Sequence, residues 1–286
     1  MRAAAPGPYR SAMPRFQTAR RPAVTARSKP RRVAAFGTIA ALVLVTGCDG
    51  LASRRLDFDD TESARITGIT VLRGAGDVTV RATDATTGVR IKRILRYQGA
   101  NQPDTSYQIR GGELVLDTDC GNRCSLSYEV TAPVGVTVQG ELEAGQLDLS
   151  RVGPVEITLG AGDVRISESN GPVRARTDAG DIEVDRITGP VFLRSGAGDV
   201  TGKALGTGAV DVVTEVGDIS VSLDQVASAR AHSETGSVTL SVPDGRYQVR
   251  HQGEPDEGDI EVPHDPGATA VLDVRVDNGQ LKITRR

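Results

Sequence analysis

Around Val155 to Val221 one phrase returns four times, as GPVEITLGAGDVRISESN, GPVRARTDAGDIEVDRIT, GPVFLRSGAGDVTGKALGT and GAVDVVTEVGDISVSL. Its marker is Gly-Asp, at Gly162-Asp163, Gly180-Asp181, Gly198-Asp199 and Gly217-Asp218, spaced 18, 18 and 19 residues. A second glycine set, Gly153, Gly171, Gly189 and Gly208, falls about half a period away. A fixed period with a glycine every nine or so residues is the signature of a solenoid. Each half-period has room for a short strand and a tight turn, and is too short for a helix. The chain therefore reads as all-β: a β-solenoid, parallel and β-helix-like, with about 18–19 residues per rung.

Alternation fixes the faces. Leu147, Val164, Ile182, Val200, Ile219 and Val238 share one position, and Leu149, Ile166, Val184, Val221 and Leu240 the position two residues on, with Gly202 the exception. The other strand contributes Val155, Val173, Val191 and Val210, then Ile157, Ala175, Leu193 and Val212. Period two places these columns inside the coil and the residues between them outside. Rungs stacked about 4.8 Å apart would join each column into a continuous aliphatic ladder.

Residues 1–47 contain nine Lys and Arg and no Asp or Glu, and include a 13-residue apolar run, Val33–Val45, too short for a comfortable membrane span. Followed by Val45-Thr46-Gly47-Cys48, this stretch resembles a bacterial lipoprotein signal. The resemblance implies cleavage before Cys48, diacylation of Cys48, and retention on the outer leaflet of the cell membrane. An ordinary secretory signal or an uncleaved anchor with a coincidental cysteine is the alternative. From Cys48 on, the chain keeps 25 of its 34 basic residues against all 37 acidic ones, a formal charge near −12. Nucleic acid is accordingly not an expected partner. Asp49–Ser63 is polar and aperiodic, which predicts a tether over 48–64.

The repeat phrase first occurs in Ile66–Thr83, marked by Gly76-Asp77, and returns only at Gly145-Gln146. Alternating stretches around 89–97, 106–109, 114–117 and 125–132 lie between. They read as antiparallel excursions covering the open first rung, giving an N-terminal β cap over 65–140 and solenoid repeats over 141–286. After Gly217 the markers Gly236-Ser237, Gly258-Asp259 and Gly279-Gln280 follow at looser spacing and read as successive rungs. Cys120 and Cys124 close a Cys-Gly-Asn-Arg-Cys tip; outside the cytoplasm a disulfide is expected, a metal site or a redox pair being the alternatives.

Recurrent Gly-Asp ahead of an alternating aliphatic strand, behind a lipobox, resembles the bacterial putative-adhesin family of β-strand repeat proteins over Arg65–Thr284. The resemblance implies architecture and envelope location, and offers no catalytic residues. The function expected is a structural or adhesin-like binding role, facing an envelope polymer or a partner protein, with no cofactor and no metal. Outward positions Arg174, Arg176 and Arg194 form the basic cluster of one face and Phe192 is its aromatic, so a binding patch is sought there, solvated cross-strand pairing being the alternative. An enzyme acting on polysaccharide is a competing class. The chain has no Trp and no Gly-x-Ser-x-Gly, His-Glu-x-x-His or P-loop stretch to support it. A calcium-loaded coil resembling the repeat-in-toxin nonapeptides is a third, but here Asp follows its glycine directly. Stacking would align Asp163, Asp181, Asp199 and Asp218 in one row, each expected to cap its own turn by accepting N–H groups one or two residues on.

Overall fold

The computed structural model describes residues 53–253, 256 and 259–286, and these are built from strands. In chain order they are β1 (Ser53–Glu62), β2 (Gly68–Leu72), β3 (Val78–Thr83), β4 (Val89–Gln98), β5 (Tyr107–Arg110), β6 (Glu113–Asp117) and β7 (Cys124–Pro133). The repeats supply β8 (Thr137–Ala144), β9 (Leu147–Ser150), β10 (Val155–Ala161), β11 (Val164–Ser167), β12 (Val173–Ala179), β13 (Ile182–Asp185), β14 (Val191–Ala197) and β15 (Val200–Leu205). Then come β16 (Val210–Val216), β17 (Ile219–Leu223), β18 (Ala229–Thr235), β19 (Val238–Val242), β20 (Tyr247–Gln252), β21 (Ala270–Asn278) and β22 (Leu281–Arg285).

Each central repeat gives one strand to each of two 11-stranded sheets. Sheet 1 runs β1-β4-β7-β3-β9-β11-β13-β15-β17-β19-β22, and sheet 2 runs β5-β6-β2-β8-β10-β12-β14-β16-β18-β21-β20. The central pairings are parallel and in register: Val164 faces Ile182, Ile182 faces Val200, and Val200 faces Ile219. In sheet 2 the row runs Ile157, Ala175, Leu193, Val212. All of these side chains are buried, so the inward columns are the core.

The glycines make this stacking sterically possible. At Gly180 φ is +140°, and a Cβ there would strike the Gly162 carbonyl oxygen of the rung before. Gly189 needs no unusual φ, but a Cβ would collide with the Gly171 backbone. Repeat prolines fit for a different reason. Pro172 and Pro190 sit just ahead of their strands, where only their carbonyls are used, accepting from the N–H of Val155 and Val173 at 2.9 Å.

The ends depart from the sequence expectation. Only β4 and β5 are antiparallel excursions, while β6 and β7 pair in parallel with β2 and β3 and form a further rung outside the first repeat. β8 straddles the boundary expected at residue 140, pairing with β2 on one side and β10 on the other. Residues 53–62, expected within a tether, are the edge strand β1, paired antiparallel with β4 over its full length. Leu56 and Phe58 pack on the core, which anchors an otherwise polar segment. The chain also doubles back at the C-terminal end. β21 and β22 stack directly on β18 and β19, leaving β20 and the Ile260 bridge outermost, so the last three markers are not successive rungs.

An arginine closes the N-terminal end. Arg93 lies over the rings of Phe58 and Tyr107, at 5.0 and 5.3 Å, and donates to Asp60 at 2.9 Å and to the Thr105 carbonyl at 2.7 Å. Tyr107 in turn donates to Glu62 at 2.9 Å, and burial pushes its phenol up to about 12. An inward-pointing charge at the end of a stack blunts an edge that would otherwise pair with another chain.

Inside and outside are therefore one residue apart. Ile182 is fully buried, whereas Glu183 faces solvent, bonded to Lys203 at 2.8 Å. Ile182→Asp should cost about 3–5 kcal/mol, the price of an uncompensated buried charge. Glu183→Lys exchanges an exposed ion pair and should cost about 1 kcal/mol or less. Thermal melts of the two variants check this, and equal tolerance would contradict the assignment of faces.

Candidate functional site: the outer face of sheet 2 and the aspartate row

Register places the predicted patch residues side by side. Glu156, Arg174, Phe192 and Asp211 form one outward row of sheet 2, and Thr158, Arg176, Arg194 and Val213 the next. Exposed Pro154, Pro172 and Pro190 border the first row at the strand entrances. The Arg174 guanidinium stacks on the Phe192 ring at 4.0 Å. Arg194 is held from three sides, by the Asp211 carboxylate at 3.0 Å and the carbonyls of Leu193 and Asp211 at 2.9 and 3.2 Å. Arg176 makes an open pair with Asp178 at 3.3 Å, both side chains well exposed. Glu156, Thr158, the three arginines and Phe192 line a shallow depression. A second depression shares Glu156 and Arg174 and adds Gln139, Pro154 and Pro172.

The four aspartates do form a row, but they cap the next rung and not their own turns. The N–H of Asp181 donates to Asp163 Oδ1 at 3.2 Å, that of Asp199 to Asp181 Oδ1 at 2.8 Å, and that of Asp218 to Asp199 Oδ1 at 2.8 Å. Ser237 continues the row onto Asp218 at 2.7 Å, and Gln146 bonds Asp77 likewise at 3.0 Å. Local Asx capping loses because the positive φ of the marker glycine turns the following N–H along the stack, toward the neighbouring rung. Among the described residues no group of three or more His, Cys, Asp or Glu is arranged to hold a metal ion.

A second, inner row was not singled out from the sequence. Thr177, Ser195, Thr214 and Ser233 are buried polar residues three positions before each marker. Their hydroxyls donate to the preceding marker carbonyls, Gly162, Gly180, Gly198 and Gly217, at 3.2, 3.0, 3.0 and 2.9 Å. The signal was present as a hydroxyl recurring at an inward position of four consecutive repeats. Cys120 and Cys124, near the N-terminal end, are joined by a disulfide with their Cα atoms 5.7 Å apart. Cys48 lies outside the described residues. The arginine patch, the aspartate row and the disulfide are three separate places on the coil.

The Toastrack DUF4097 family model matches residues 56–284, from β1 to β22. The chain belongs to this family. Among solved structures the Toastrack coil is similar to a putative adhesin from Bacteroides fragilis, 11% identical, covering 82% of this chain and 97% of that one with a TM-score of 0.46. It is also similar to a putative cell adhesion protein from Clostridium sporogenes, at 12% identity, 82% and 100% coverage and a TM-score of 0.27. A putative adhesin from Parabacteroides merdae gives 12%, 82% and 96%, and 0.30. No curated protein matches the chain.

The corner bonds of the Toastrack rungs can be separated by substitution. Asp181→Asn keeps an acceptor for the Asp199 N–H and removes one charge from a row whose neighbours repel by about 1 kcal/mol in water. It should leave the melting temperature unchanged or raise it. Asp181→Ala and Thr177→Val each strip a backbone group of its partner and should each cost about 1 kcal/mol. If Asp181→Asn destabilises as much as Asp181→Ala, charge and not the hydrogen bond is what the row supplies. Calcium at millimolar concentration should shift the melting temperature by no more than about a degree or two, since six or more oxygen ligands are needed to hold the ion firmly.

Proposed function

We propose that this chain is an extracytoplasmic, lipid-anchored surface protein with an adhesin-like binding role, presenting the outer face of sheet 2 to an envelope polymer or a partner protein. The observation that carries the reading is the shape of the exterior. In the central rungs β10 and β11 are joined by two residues, and β11 and β12 by five, so short in-register strands stack into a face that lies open without loop walls. Such a face suits recognition of an extended partner, whereas hydrolysis or elimination would need a walled groove that positions acid and base groups around one bond. Val45-Thr46-Gly47-Cys48 supports the anchor. Two acyl chains on Cys48 would hold the protein firmly where one would not.

The edge strand sharpens this reading. With β1 starting at Ser53, four residues separate Cys48 from the coil, and the five steps from Cys48 to Ser53 reach at most about 18 Å at 3.6 Å per step. The N-terminal end would then sit near the bilayer, and the patch on β12 and β14 several rungs out. Cys48→Ala should abolish incorporation of labelled palmitate and leave an unprocessed precursor. A variant that is still labelled and reaches mature size would refute the anchor.

A further inference from the structure

We infer that the strip formed by Arg174, Phe192, Arg176 and the flanking prolines binds a linear acidic polysaccharide, its carboxylates on the arginines and its sugar rings on Phe192 and the pyrrolidines. The inference rests on the surface-binding role proposed above and names its ligand class. Four features of the strip point to it.

Arg174 is the first. Among the described residues it is oriented by an aromatic ring and not by a carboxylate, its guanidinium lying 4.0 Å over Phe192. Stacking fixes the plane of the fork while leaving its N–H edges free for a bidentate acid. Arg176 is the second. Its pair with Asp178 is open to water on both sides, 64% and 65% exposed, and such a pair is worth so little that a ligand carboxylate can replace it. Arg194 is different, because Asp211 and two carbonyls already engage it. Its charge is balanced by Asp211, so it shapes the floor beside the other two and leaves the ligand carboxylate to them.

The third feature is apolar. Pro154, Pro172 and Pro190 are exposed and follow one another up the stack beside Arg174 and Phe192. With no N–H to satisfy, their rings give apolar ground along the border of the first outward row, which suits the C–H face of a pyranose. The fourth is the repeat itself. Equivalent positions recur about every 4.8 Å along the coil, a spacing that lets a linear polymer lie along the axis, one acidic sugar against Arg174 and Arg176, side by side on β12, and the next sugar ring against Phe192 one rung on. Glu156, Thr158 and Gln139 border the two depressions and offer hydroxyl-binding groups. An acidic protein segment would satisfy the arginines and leave the proline and phenylalanine ground unused.

The test is affinity electrophoresis of the full chain in detergent, through gels containing polygalacturonate, dextran or polyglutamate. Polygalacturonate should retard the protein, with binding about tenfold or more tighter than that of either other polymer, the worth of one charge-assisted bidentate contact. Arg174→Glu/Arg176→Glu should abolish the retardation and Phe192→Ala should weaken it several-fold, with melting temperatures unchanged. Arg165→Glu, on the outer face of sheet 1, should have no effect. No retardation by polygalacturonate, equal retardation by polyglutamate, or retention of binding in the double variant would each overturn the inference. Cys48→Ala should still be retarded, so failure of the anchor and failure of the patch read out separately.

Discussion

Backbone contact between marker glycines is the constraint on which the other features of the coil depend. At Gly180 the chain must turn at positive φ with no Cβ, because the carbonyl of Gly162 occupies the space a side chain would need. This geometry takes Gly180 and Asp181 out of the ordinary strand ladder, and each of their backbone groups needs another partner. Gly180 N–H donates to the Ala197 carbonyl, and the Asp181 carbonyl accepts from Val164, both across the stack. The two groups left over are served by side chains: Asp163 takes the Asp181 N–H on the outside, and Ser195 reaches the Gly180 carbonyl from the inside. Glycine, aspartate and buried hydroxyl are thus one linked device. It keeps corner groups paired at a place where an orphan would cost about 1–3 kcal/mol.

A stack built this way has two ends, and each end strand exposes unpaired N–H and C=O groups. The chain handles both by leaving its own order. At the start it lays down β2 and β3, travels outward through β4 and β5, and returns as β6 and β7 before β8 passes to the opposite side. At the finish β20 is set outermost in sheet 2 with β21 slipped in beneath it, and β22 closes sheet 1 on β19. β6, β7 and β21 are thereby held between other strands, and the outermost places fall to β1 and β22 in sheet 1 and to β5 and β20 in sheet 2. What remains at the edges is polar: β1 carries Arg55 paired with Asp57 at 2.9 Å, and Arg246 meets Asp265 beside β20.

Where the repeat is strict, the sequence was sufficient. Alternation told inside from outside at Ile182 and Glu183, and equal spacing implied the register that brings Arg174 beside Phe192. Where repetition stops, nothing in the local pattern encodes which neighbour a strand will choose. Leu281 and Ile260 look alike as inward residues, yet only Leu281 pairs with Val238. β1 was hidden because one of its faces is charged and the other offers only Leu56 and Phe58. The aspartate bonds were missed for a related reason. A turn Asp can accept from its own loop or from a neighbour, and the choice depends on where the glycine φ aims the next N–H. Buried Thr177 and Ser195 were legible as a column but not as partners, since their acceptors lie 15 residues away in sequence.

Charge on the exterior links this architecture to recognition. A chain near −12 from Cys48 onward repels a dense polyanion such as duplex DNA, which carries a charge every ~1.7 Å. That field is screened within about 8–10 Å at physiological salt, so beyond this range the net charge matters little and within it the local residues decide. An acidic polysaccharide spaces its carboxylates one or more sugars apart. It can set one carboxylate against Arg174 and Arg176, side by side on β12, while its neutral ring faces lie against the prolines and Phe192. The acidic residues around the patch, Asp178 and Glu156 among them, then become a filter: they penalise ligands whose charge is too closely spaced to avoid them. Repeat geometry makes such a filter possible, because rung spacing fixes the distances between like and unlike charges along the whole face.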